Sequence, residues 1–86
     1  MVIFAVTRKG YLELEPIIKS ALYPVWVGGD VLNEQELDSL RSSNIDLTNF
    51  SYTIAPCDDR ALDEALITIA EHHPNERVWL ECLPKI

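Results

Sequence analysis

Apolar residues run without a break through VIFAVT, residues 2–7, before charge appears at Arg8. A run of that length, rich in β-formers, predicts a central strand buried on both faces. Arg8-Lys9-Gly10 ends it. In ELEPIIKSAL, residues 13–22, apolar groups at Leu14, Ile17, Ile18, Ala21 and Leu22 recur at helical spacing. Pro16 suits a helix only in its first turn, so this helix is expected to begin between Glu13 and Glu15. A rival reading exists: YLELE alternates and RKG can turn a hairpin, which would make residues 2–15 a β-hairpin. The helix is preferred.

The next apolar run is YPVWVG, residues 23–28, a second short strand with Pro24 at its start, closed by Gly28-Gly29-Asp30. Asn33 with Glu36 three residues on reads as the opening of a second helix by a capping box, flanked by Leu32 and Leu37 at staple positions. A third strand is placed at Phe50–Ala55. There Phe50, Tyr52 and Ile54 alternate with Ser51, Thr53 and Ala55, the pattern of a half-buried strand. Leu62, Ala65, Leu66, Ile69 and Ala70 form one stripe of a third helix, Asp59 to His73, which Pro74 stops. The last strand is Arg77–Leu83, with Val78, Leu80 and Cys82 on one face and Trp79 and Glu81 on the other.

Alternation of strands and helices, β-α-β-α-β-α-β, predicts an α/β fold: one domain over residues 1–86 with a small, open, mostly parallel four-stranded sheet. A truncated flavodoxin-like order, 2-1-3-4, places the apolar first strand centrally. A ferredoxin-like α+β arrangement is the alternative. In the 2-1-3-4 order no helix covers one face of strands three and four. Ser51, Thr53, Trp79 and Glu81 fall on that face, and a tryptophan among small polar groups is a natural anchor for a protein partner.

Composition narrows the functions. With 14 acidic and 7 basic residues the net charge is −7, which disfavours direct nucleic-acid binding and anionic membranes. No stretch reaches the roughly 18 apolar residues of a membrane span, and no basic region precedes the first apolar run as it would in a secretory leader. The expected location is cytoplasmic. Cys57 and Cys82 lie outside any zinc-type spacing, and the default is two reduced thiols. No cofactor or metal is expected.

Ligands of an open parallel sheet bind beyond the carboxyl ends of its strands. The candidate loops there are 7–10, 28–30 and 55–60, which bring Arg8, Lys9, Asp30, Cys57 and Asp58. Each has a plainer reading. Asp58 and Asp59 precede a helix, where carboxylates cap amides and complement the dipole, with Asp59 expected as N-cap. Neighbouring aspartates oppose a reactive Cys57 thiolate. TRKG is not a phosphate loop, and neither G-x-G-x-x-G nor G-x-S-x-G occurs. His72 and His73 are adjacent on a helix and make a poor chelate.

The expectation is therefore a small acidic interaction module of regulator, inhibitor or immunity type, with no catalytic residues. It would bind a protein partner or self-associate as a homodimer. The alternative is a small-ligand or anion-binding domain at the three loops, for which enzymatic activity stays open.

Overall fold

The strands are β1 (Val2–Ala5), β2 (Val25–Val27), β3 (Leu47–Asn49) and β4 (Val78–Glu81), and the helices α1 (Arg8–Ile18), α2 (Glu34–Ser42) and α3 (Asp59–His72). This is a computed structural model, and it describes residues 1–56 and 58–82. Cys57, one of the candidate site residues, and Leu83, the expected end of the last strand, lie outside the described residues.

All pairings are parallel, so the α/β class with a single four-stranded sheet holds, and the hairpin over residues 2–15 does not form. The order is β3-β2-β1-β4, not 2-1-3-4. The physical reason is visible in the strands. β2 is VWV and as fully buried as β1, so both take central places, whereas β3 is LTN and half-polar. The apolar first strand is central, as expected.

Successive steps from β1 to β2 to β3 carry the chain one way across the sheet and put α1 and α2 on the same face. Tyr11, Ile18, Leu37 and Leu40 pack there on Ile3, Ala5, Val25, Val27 and Leu47. The return from β3 to β4 puts α3 on the opposite face, with Leu62, Ala65 and Ile69 against Val2, Phe4, Val6 and Trp26. Right-handed crossovers require this division.

Local signals fare unevenly. Asn33 caps α2 in a complete capping box with Glu36, as its spacing predicts. α1 begins at Arg8, well before the Glu13–Glu15 start expected, because Thr7 is its N-cap and accepts from the Gly10 amide at 3.0 Å. Pro16 falls in its last turns instead of its first. It sits on the exposed side, where the carbonyl deprived of an amide partner meets water, and the helix ends at Ile18. The third strand lies at Leu47–Asn49, upstream of Phe50–Ala55. Phe50 and Ile54 are buried all the same, packed beneath α3 from a loop rather than from a ladder.

Candidate functional site

β1 and β4 are neighbours whose connections leave in opposite directions, so the crevice at their carboxyl ends is the switch point where open α/β sheets bind ligands. Here a side chain of the chain itself occupies it. Glu81, the last residue of β4, turns its carboxylate onto the start of α1. One oxygen accepts from the Val6 and Thr7 amides at 3.0 Å each, and the other accepts from the Thr7 hydroxyl at 2.7 Å. A carboxylate suits this position because a helix N-terminus presents unpaired amides and a partial positive charge. Gly10 makes room: a β-carbon there would overlap the Glu81 carboxyl carbon. Glu81 is thus a built-in anion at the place where an external one would bind.

Of the other loop residues, Arg8 and Asp58 are engaged within the chain. Arg8 donates to the Val31 carbonyl at 3.1 Å and to Glu36 Oε1 at 2.7 Å, and its guanidinium stands 5.8 Å from the Tyr11 ring centre. That hydrogen bond, joined by one from the Asn33 amide, holds the Glu36 carboxyl below the usual carboxylate range. Lys9 and Asp30 are exposed. Asp58, and not Asp59, is the N-cap of α3, and its side chain accepts from the Ala61 amide at 3.1 Å. The loop after β3 crosses the carboxyl edge of the sheet. The Gly29 amide donates to the Tyr52 carbonyl at 2.9 Å, and Cys82 Sγ lies 3.2 Å from the Pro56 carbonyl oxygen. Among the described residues of the three loops, Arg8 and Asp58 are thus held by contacts within the chain, while Lys9 and Asp30 face solvent. Among the described residues no group of three His, Cys, Asp or Glu side chains could hold a metal ion. An open groove of about 250 Å³ runs between α1 and α2, lined by Tyr11, Glu15, Lys19, Glu36 and Leu40.

The second candidate surface, Ser51 with Thr53, Trp79 and Glu81, is divided by the strand order. Ser51 and Thr53 are exposed in the loop after β3, and two strands separate β3 from β4. Trp79 and Glu81 do share a face. They pair in register with Ile3 and Ala5, on the α1 side. Trp79 is 55% exposed, and its neighbour Leu80, pointing to the α3 side beside Phe4, is 39% exposed. Large apolar groups therefore protrude from both faces of one edge strand. Sequence reasoning identified Trp79 but missed the role of Glu81 and the accessibility of Leu80.

The backbone of β4 is also open outward. Val2 and Val6 amides donate to the carbonyls of Arg77 and Glu81, so alternation along a parallel ladder turns the amides and carbonyls of Val78 and Leu80 away from β1. Among the described residues no strand lies against that edge.

No family model, curated protein or solved structure matches the chain. Among the described residues no helix is long and apolar enough to cross a membrane.

Proposed function

We propose that the protein is a non-enzymatic protein-interaction module that docks a partner strand along the outer edge of β4. The observation that carries this reading is the coincidence on one edge strand of outward-facing Val78 and Leu80 backbone groups with exposed Trp79 and Leu80 side chains. A bare edge is a template for another strand, and natural proteins normally protect it by charge, proline or cover. Main-chain hydrogen bonds supply affinity in such docking, and side chains on alternate faces supply specificity. A tryptophan at the middle of the edge is the residue type that most often dominates binding energy. The anion-binding alternative has less support, because Glu81 fills the α1 N-terminus and Arg8 pairs with Glu36.

Leu80→Pro tests the reading. Proline removes an amide that faces away from β1, a position edge strands tolerate, while blocking the hydrogen bond a partner would receive. Immobilised wild-type protein and the variant are exposed to the same cell extract. Proteins retained by the first and lost from the second support docking at β4. Identical retention by a folded Leu80→Pro variant removes β4 as the docking surface.

A further inference from the structure

The β4 edge is complementary to itself, and we infer that its partner is a second copy of this chain, paired antiparallel about a twofold axis at Trp79. This rests on the reading of β4 as the docking edge. The backbone limits the choices. Within β4 it is Val78 and Leu80 that present outward amides and carbonyls, so they form the hydrogen-bonded pairs of an antiparallel junction centred on this strand. The symmetric solution that uses both sets Val78 opposite Leu80 of the second copy, and Leu80 opposite its Val78. Trp79 then faces Trp79 across the axis in a non-hydrogen-bonded pair, where Cα atoms approach to about 4.5 Å and side chains meet most closely.

The same register brings Arg77 opposite Glu81 of the second copy, and the reverse, on the face that carries the tryptophans. Among the described residues Arg77 makes no ion pair, whereas Arg8 and Arg60 each have one within the chain. Glu81 directs its carboxylate at Thr7 and still has acceptor capacity toward a guanidinium. The junction would therefore stack apolar pairs on the α3 face. On the other face it would place an aromatic pair flanked by two opposite-charge pairs, each type favourable across strands. Shifting the register by one pairing step sets Trp79 opposite Glu81, or Leu80 opposite Glu76. Charge complementarity thus selects the register as well as the partner. The closed twofold joins two four-stranded sheets into one and leaves no β4 edge to propagate. Four-residue strands bury a small interface, so the dimer belongs to the weak, transient class.

Sedimentation equilibrium from about 10 µM to about 1 mM, the range expected for such an interface, is the deciding measurement, at an ionic strength of about 0.15 M. The wild type should dimerise reversibly, and collisional quenching of the Trp79 emission should fall as dimer forms. Leu80→Pro should remain monomeric. Should that variant not fold, Trp79→Arg serves instead, because it sets two like charges face to face at the axis without touching the β1–β4 ladder. Arg77→Glu turns two attractions into two repulsions and should weaken association by about tenfold, an effect that shrinks with added salt. A wild type that stays monomeric throughout overturns self-pairing. The β4 docking reading would then stand or fall on whether Leu80→Pro still loses retained proteins. A dimer indifferent to both Leu80→Pro and Trp79→Arg overturns self-pairing through β4. A dimer sensitive to those but not to Arg77→Glu overturns the register.

Discussion

β3 and β4 are both edge strands, and the chain finishes them differently. On β3, the Val25 amide donates to Asp46 and the Phe50 amide donates to Val27, which turns the Leu47 carbonyl outward by alternation. Arg41, from the last turn of α2, closes that carbonyl with Nε and Nη2, each at 3.3 Å. Leu47 itself is buried under the helix. On β4, the outward groups of Val78 and Leu80 meet no strand among the described residues, and Trp79 and Leu80 protrude. One edge is thus blunted by a charged side chain, a device that natural sheets use against unwanted pairing. The other lacks it. That difference is what the proposed docking at β4 rests on.

Glycine substitutions give the largest contrast between the two sides. A β-carbon at Gly29 would lie 2.7 Å from the Tyr52 carbonyl oxygen and 2.8 Å from that of Phe50. Both belong to the backbone of the loop that follows β3, so the loop itself must move, taking buried Phe50 and Ile54 with it. Gly29→Ala should cost about 2–3 kcal/mol, the range for forcing atoms into a packed region. At Gly10 the added carbon meets the Glu81 carboxyl instead, the end of a flexible side chain. Gly10→Ala should expel Glu81 from the Val6 and Thr7 groups and lose part of their charge-assisted bonding, with helix propensity returning about 1 kcal/mol, for a net cost of about 1 kcal/mol. Denaturant unfolding of the two variants measures both. Equal costs would mean that Glu81 is held as rigidly as backbone.

Arg41→Ala comes next. It uncovers the Leu47 carbonyl and should destabilise the fold by about 1 kcal/mol, the usual net worth of a hydrogen bond that water can replace. Its sharper consequence is association. With both edges bare, the sheet can pair at either side, and sedimentation should reveal species beyond a dimer. If the variant behaves as the wild type does, Arg41 caps a carbonyl without guarding the edge.

The layout of the sheet was legible in residues whose burial is uniform. VIFAV and VWV read as strands from their apolar runs, and the Asn33–Glu36 spacing announced α2. Strand order was less accessible. It depended on recognising that VWV and VIFA are equally buried and must both be central, while LTN has the composition of an edge. The Phe50–Ile54 alternation misled because a loop packed under α3 buries alternate residues just as a ladder does. Thr7 was overlooked as a cap because Pro16 seemed to forbid an early start for α1. The site was harder still. Glu81 acts on Thr7, 74 positions away, and only the adjacency of β1 and β4 brings the two together. Trp79 stood out by residue type alone. The open edge beside it is a property of the assembled sheet.

The smallest expected effect concerns the arginines that are not at β4. Arg41 guards β3, and Arg8 joins the start of α1 to the start of α2 through Val31 and Glu36. Because hydrogen bonds from Arg8 and from the Asn33 amide lower the folded-state pKa of Glu36, its carboxylate contributes stability that is fully present above the ordinary carboxylate range. That contribution fades as pH falls through the depressed folded value, when the proton breaks both the ion pair and the capping box. Arg8→Ala should leave stability near neutral pH almost unchanged, since the pair is solvent-exposed. It should move the loss of α2 toward slightly higher pH, readable as an earlier acid transition by circular dichroism. Dimerisation should be unaffected by this substitution. In the proposed dimer Arg77 supplies the charge that faces Glu81 across the twofold axis, and a change in association on removing Arg8 would mean that the α1–α2 side, with its open groove, takes part in the contact.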